Sequence, residues 1–226
     1  MNLPFDIPVI TIISIICFIP AIVIHEVAHG FVAHRLGDPT AKRAGRITLN
    51  PLKHVDPFGT VILPAVLVLG SMATGGVSPI FGYAKPVPYN PRYFKNIRVG
   101  EFLTGFAGPA SNVLMALLAA IVGNMLRVFP VFGVVATDWI LVVCYLFAMI
   151  NLCLAFFNLI PIPPLDGASI IALFLPDKAL KQYYSIQRYA MPVLLVVLFV
   201  VPYFLNFSII GMYLDVTALS VMNLLF

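Results

Sequence analysis

Charged residues are scarce in this chain: they make up 10% of it, whereas hydrophobic residues make up 61%. An ordinary soluble domain is about 25% charged and about 45–50% apolar. The shortage of charge therefore excludes an ordinary soluble protein and places the chain among membrane proteins. The net charge of +4 comes from basic loops, which report orientation in a membrane protein, so we expect no nucleic-acid partner.

Cysteine is also rare, and its spacing argues against a disulfide framework or a thiolate metal site. Cys17, Cys144 and Cys153 all lie in apolar runs and none forms a C-x-x-C pair. We interpret them as buried small hydrophobic residues. The first residues, "MNLPFD", carry no lysine or arginine and no small-residue cleavage site, unlike a cleaved signal peptide.

What is abundant is long apolar runs, and a run of about 20 residues crosses a bilayer. The candidates cover residues 7–34, 58–76, 102–126, 139–160 and 190–213, and the tail to residue 226 is a sixth span or an interfacial helix. The 58–76 run is short and contains Pro64, which favours a re-entrant segment at 57–84. We predict an all-α membrane protein, a single domain over residues 1–226. It is a multi-pass helical bundle of about five to six membrane segments.

Basic residues cluster in three connections, at 35–56, 85–98 and 178–188. A re-entrant 57–84 segment puts all three on the cytoplasmic side, as the positive-inside bias requires. His25 then lies ten residues before Arg35, or about 15 Å along a helix. Asp166 lies just past the cytoplasmic end of the 139–160 span. We therefore expect a multi-pass protein of the cell membrane whose polar positions meet toward the cytoplasm.

The polar cluster "HEVAH" at residues 25–29 fits the pattern H-E-x-x-H. On a helix, His25 and His29 point the same way and can bind one zinc ion. The adjacent Glu26 can act as general base, while the metal lowers the pKa of its bound water and polarises the carbonyl. His34, beside Arg35, is better explained as an interfacial residue.

A hydrolytic zinc site needs a third protein ligand and an open position. Asp166, in "NLIPIPPLDGAS", is either that ligand or the N-cap of the next helix. Glu101 is the rival ligand, although its place among basic residues at the start of a span also suits helix-dipole or ion-pair roles.

Three motifs in this order resemble the site-2 protease family of intramembrane zinc metalloproteases: HEVAH at 25–29, "AGPASN" at 107–112 and "NLIPIPPLDG" at 158–167. The chain is similar to the short branch without a PDZ domain. The resemblance implies one Zn²⁺ per chain, bound by His25, His29 and Asp166, with Glu26 as the catalytic base. It also implicates Asn112 and Asn158, which either bind the substrate backbone or oxyanion or serve in packing.

Two further features are not settled by the resemblance. His54 and Asp56 form either a secondary polar site or part of the turn that begins the re-entrant segment. The proline-rich 81–91 stretch is expected to be extended, and an extended edge near the site suits pairing with an unwound substrate strand.

These features predict an intramembrane zinc endopeptidase that cuts transmembrane segments of membrane-protein substrates in the bilayer. A metal-ion transporter would show several ligand clusters along the membrane normal, and the sequence shows one. A catalytically idle scaffold would not need Glu26 intact.

Overall fold

The computed structural model describes residues 7–62, 84–205 and 207–226, and within them the regular structure is helical with no strand. The helices are α1 (Ile7–Arg35), α2 (Thr40–Arg43), α3 (Ile97–Val128), α4 (Val134–Asn158), α5 (Gly167–Phe174), α6 (Asp177–Leu195), α7 (Val201–Leu205), α8 (Ile209–Leu214) and α9 (Ser220–Leu225). Single turns of 3₁₀-helix lie at Pro51–Lys53 and Pro91–Tyr93. Single π-helical turns lie at Pro57–Ile62, Val196–Val200 and Asp215–Leu219. The all-α prediction is confirmed.

Three of these helices, α1, α3 and α4, are long and apolar enough to cross a membrane. A fourth candidate is a bent pair, Tyr189–Leu205 and Ile209–Leu225, whose halves meet at 104°. The described residues thus give three spans, or four if the bent pair counts as one. Residues 63–83, most of the predicted re-entrant segment, lie outside the described residues. That the segment dips into the bilayer therefore stays a prediction.

The run predicted as one span over 190–213 is divided. The helix that includes α6 and α7 ends at Leu205, and α8 begins at Ile209. Ser208 caps the new helix, because its hydroxyl accepts a hydrogen bond from the Gly211 amide at 2.9 Å. Hydropathy alone does not register this local hydrogen bond.

Helix α3 lies at the centre of the bundle and packs against α1, α4 and α5. Every fourth residue along one face of it is buried, and most of these residues are small: Gly100, Thr104, Gly108, Asn112, Ala116 and Ala120. Positions four apart share a helix face, and small residues let neighbouring helices approach closely. This face of α3 brings α1 and the start of α5 together. His25, His29 and Asp166 lie close to one another there.

The outer surface of the bundle is apolar. On α1, Ile12, Ile15 and Ile16 are each at least half exposed, as a surface in contact with lipid requires. Helix α1 ends where Gly37 takes a positive φ of 106°, a conformation that favours glycine and stops a helix. The polar 38–62 connection follows.

Candidate active site

His25 and His29 lie four residues apart on the buried side of α1, and 5% and 8% of their surfaces are exposed. Their Nε2 atoms are 3.1 Å apart. The Nδ1 atom on the far side of each ring faces an oxygen of α3. His29 Nδ1 donates to the Thr104 carbonyl at 2.7 Å, and His25 Nδ1 lies 2.5 Å from Asn112 Oδ1. Each ring therefore presents its Nε2 lone pair to the same point.

Asp166 reaches that point from the other end of the chain. Three prolines after α4 prevent the helix from continuing, and the loop folds back so that α5 begins at Gly167. A Cβ on Gly167 would lie 2.3 Å from the Leu159 carbonyl oxygen, so only glycine fits after the aspartate. The Asp166 side chain makes no capping hydrogen bond to α5, so the carboxylate is free for another role.

The three side chains form a group whose geometry suits a metal ion. Asp166 Oδ2 lies 3.0 Å from His25 Nε2 and 3.4 Å from His29 Nε2, and it is buried without a hydrogen-bond partner. Ligands of a tetrahedral zinc ion with bonds of about 2.0–2.1 Å lie about 3.3–3.4 Å from one another. Lone pairs this close repel unless a cation lies between them, so the donor set fits zinc.

Gly108 on α3 leaves space for such an ion. A Cβ at this position would lie 2.5 Å from His29 Nε2 and 2.6 Å from His25 Nε2. Any other residue would therefore push its Cβ against both metal-facing nitrogens.

Burial alone would raise the pKa of the Asp166 carboxyl, but the neighbouring His29 and His25 outweigh burial and lower this pKa.

Glu26 adjoins this group on α1 and is held from a different segment. Its Oε2 accepts a hydrogen bond of 3.0 Å from the Val87 amide, in the irregular stretch 84–90. Two residues later, burial of Tyr89, followed by the negative charges of Glu101 and Asp166, raises the pKa of the tyrosine hydroxyl to about 12. The 84–90 stretch therefore lies beside the group.

Among the described residues, only His25, His29 and Asp166 form a group of three potential metal ligands. Glu101 is not part of it. His54 is buried and its Nε2 donates to the Thr48 carbonyl at 2.9 Å. Asp56 Oδ1 accepts from the Gly59 amide at 2.7 Å, a local contact at the start of the Pro57–Ile62 turn.

The two asparagines implicated with the substrate differ in position. Asn112 is fully buried between helices and its amide is bonded within the protein. Asn158, at the end of α4, is half-buried and donates to the Leu154 carbonyl at 3.0 Å. Thr104 and Asn151 also lie beside the group, and the motifs did not single them out; Gly108 belongs to the "AGPASN" motif, where it was interpreted as a packing residue. A lone asparagine inside an apolar run was the available signal for Asn151.

The family model for peptidase family M50 matches residues 131–201. The chain is 38% identical over 189 residues to "Putative zinc metalloprotease YwhC" of Bacillus subtilis, a match that covers 83% of this chain and 80% of that protein. The chain belongs to peptidase family M50, the site-2 proteases.

Further relatives carry the name "Putative zinc metalloprotease Rip2". The one from Mycolicibacterium smegmatis is 29% identical, over 69% of this chain and 54% of that protein. The one from Mycobacterium tuberculosis is 28% identical, over 79% and 63%. No solved structure matches the chain significantly.

The predicted family is confirmed, and this membrane-embedded M50 chain is a zinc metalloprotease with Zn²⁺ as its cofactor. Its substrates are peptides, and its environment is the membrane. The family assignment agrees with the structure, because His25, His29 and Asp166 form a group that could bind a metal ion.

Proposed function

We propose that this M50 metalloprotease is an intramembrane endopeptidase that hydrolyses peptide bonds within or next to the transmembrane segments of other membrane proteins. One observation carries the proposal: two of the three converging donors lie on α1, a helix long and apolar enough to cross the bilayer. Because His25 and His29 lie ten and six residues before Arg35, at the end of α1, a substrate would have to reach them below the membrane surface.

In this proposal His25, His29 and Asp166 bind the zinc ion. A bound zinc ion would act as a Lewis acid that polarises the scissile carbonyl and lowers the pKa of a water molecule. Glu26 takes a proton from the attacking water and then gives it to the leaving amine nitrogen. The Val87 amide holds Oε2 of Glu26, so the carboxylate is oriented before substrate arrives.

The substrate must expose its peptide carbonyls, and a helix hides them in hydrogen bonds. We therefore expect substrates whose transmembrane helix contains helix-weakening residues, glycine and proline above all. Asn158, beside the loop that carries Asp166, is our candidate for binding the substrate backbone. Asn112 is less suited to that role, since its amide is already bonded to α1 and α4.

We further propose that the protein lies in the cell membrane with this site toward the cytoplasm. Lys42 and Arg43 on α2 follow the end of α1 that is nearer to His25 and Glu26. Positively charged connections stay preferentially on the cytoplasmic side. The donors would then lie in the cytoplasmic half of the bilayer.

The test is a cleavage assay of purified protein reconstituted in liposomes with a model transmembrane substrate. Glu26→Gln removes the base but no proposed zinc ligand, so we expect normal zinc content and cleavage about 10²–10⁴-fold slower. Mass spectrometry of the products should place the cut within or next to the membrane segment.

Two outcomes would contradict the proposal. One is cleavage confined to soluble peptides, which would leave a metalloprotease that does not act on membrane segments. The other is wild-type protein that moves zinc across the vesicle membrane and cuts nothing, which would indicate a transporter. Glu26→Gln with unchanged cleavage would remove Glu26 from the mechanism.

A further inference from the structure

Asn151 lies in α4 with none of its surface exposed, although the residues around it in sequence are apolar. Its Nδ2 donates to the Phe147 carbonyl one turn earlier at 2.8 Å. A polar side chain inside a membrane-spanning helix is unfavourable unless it is bonded, and it usually serves a function. The chemistry proposed above does not use Asn151.

A chain of hydrogen bonds leads from Asn151 to the candidate zinc site. Asn151 Oδ1 accepts from Asn112 Nδ2 at 2.7 Å, and the same Nδ2 lies 3.3 Å from the Ala21 carbonyl of α1. Asn112 Oδ1 lies 2.5 Å from His25 Nδ1. The chain therefore crosses from α4 through α3 to α1, with both asparagines fully buried.

The direction of this chain is fixed at its far end. A backbone carbonyl can only accept a hydrogen bond, so the Phe147 carbonyl requires the nitrogen of the Asn151 amide. The oxygen of Asn151 must then face Asn112, which requires the nitrogen of Asn112 there. The Ala21 carbonyl makes the same demand on Asn112. Asn112 is left with its oxygen toward His25, and this oxygen accepts a hydrogen bond from the Nδ1–H group.

We propose that Asn112 and Asn151 are positioning residues that hold His25 with its proton on Nδ1 and its lone pair on Nε2, directed at the zinc ion. This inference rests on the zinc site proposed above. It assigns Asn112 to His25 rather than to substrate, and it gives Asn151 a role. Hydrogen bonds of this kind fix the tautomer and ring direction of metal-binding histidines.

His29 provides an internal comparison. Its Nδ1 donates directly to the backbone carbonyl of Thr104, which no side-chain substitution removes. His25 depends on two side chains for the same service, so its orientation can be altered by mutation while that of His29 stays intact. The two histidines should therefore respond differently to changes at Asn112.

The experiment measures zinc affinity of the full chain by chelator competition, in mild detergent and without substrate. Asn112→Leu should lower zinc affinity by about 10–100-fold. Asn112→Asp keeps an acceptor for Nδ1, but its second oxygen faces the Asn151 and Ala21 oxygens in place of a nitrogen, so it should restore only part of that affinity. Asn151→Leu should have a smaller effect, because the Ala21 carbonyl still orients Asn112. Asn124→Leu, on the exposed side of α3, is the control and should bind zinc as wild type does.

A second measurement separates positioning from packing. In cobalt(II)-substituted protein, the Nδ1 protons of the two binding histidines give separate shifted NMR signals that exchange with water slowly when hydrogen-bonded. In Asn151→Leu, and in Asn112→Leu where it folds, the His25 proton should exchange faster while the His29 proton is unchanged.

Equal losses of affinity in Asn112→Leu and Asn112→Asp, with both proton signals unchanged, would show a packing role and overturn the inference. Wild-type affinity in Asn112→Leu would also overturn it. Neither result depends on cleavage, so this inference can fail while the protease proposal stands, and the reverse also holds.

Discussion

Gly108 shows how far a single residue determines the site. It lies at the point of α3 that faces both metal-facing nitrogens, and a Cβ there would come within 2.6 Å of each of them. The histidine rings cannot move aside without losing their Nδ1 bonds to α3. The absence of a side chain at this position is therefore what opens the space for the ion.

Gly108→Ala should weaken zinc binding. Overfilling a packed site costs about 1–3 kcal/mol, so we expect zinc affinity to fall about 5- to 150-fold in a chelator competition. Gly133→Ala is the matched control, because a Cβ there meets no atom within 4 Å, and it should leave the affinity unchanged. Undiminished affinity in Gly108→Ala would mean that zinc binds elsewhere.

At the residue scale, the sequence was most informative about residue types that are rare in the chain, namely histidine and glutamate. The chain has only two glutamates and four histidines, so a motif that contains one glutamate and two histidines stands out. Gly108 was noted only as a packing residue of the motif at 107–112, and Thr104 was not noted at all. One acts through a missing side chain and the other through its backbone carbonyl, 75 positions from the histidine that it orients.

At the scale of elements, the 84–90 stretch is fastened beside α1 by several bonds. Its Lys85 amide donates to the His54 carbonyl at 2.9 Å, and the Lys85 carbonyl accepts from Arg46. The Asn90 amide donates to Asp38 Oδ2 at 2.5 Å. Because the Val87 amide between these ends holds Glu26, the stretch links the polar connection after α1 to the proposed base.

Asp38 is the strongest of these fastenings, because it is fully buried and also accepts from the amide and hydroxyl of Thr40. Asp38→Ala should lower the free energy of unfolding by about 1.5–3 kcal/mol, the range for a hydrogen bond to a charged group. Hydrogen exchange of residues 84–90 should also increase. The exposed Asp138 is the control: Asp138→Ala should change neither, and equal effects in both variants would refute the role of Asp38.

The long helices α1, α3 and α4 were predictable, because sustained apolar runs need no tertiary information. The new helix start at Ile209 was not, since it depends on Ser208, which caps that helix by a local hydrogen bond inside an apolar run. From the sequence, the proline-rich stretch was expected only to be extended and near the site. The hydrogen bond from residues 84–90 to Glu26 was not predicted. The position of this stretch depends on partners such as Asp38, 52 positions away from Asn90.

At the scale of the whole molecule, the two ends of the proposed site are distant in sequence and meet because α3 packs against both α1 and α5. Asp166 lies 137 positions after His29, so no local pattern joins them. Composition predicted the membrane, and the motifs predicted the family. The meeting of the donors depends on small residues along one face of α3.

The most direct test of the account compares zinc content and cleavage of a transmembrane substrate in Asp166→Asn and Glu101→Gln. Each change removes one negative charge with little change in shape, and the two residues are the rival third ligands. We predict that Asp166→Asn loses most of its zinc and its cleavage, whereas Glu101→Gln keeps both. Retention of zinc and cleavage in Asp166→Asn, with their loss in Glu101→Gln, would contradict the site described here.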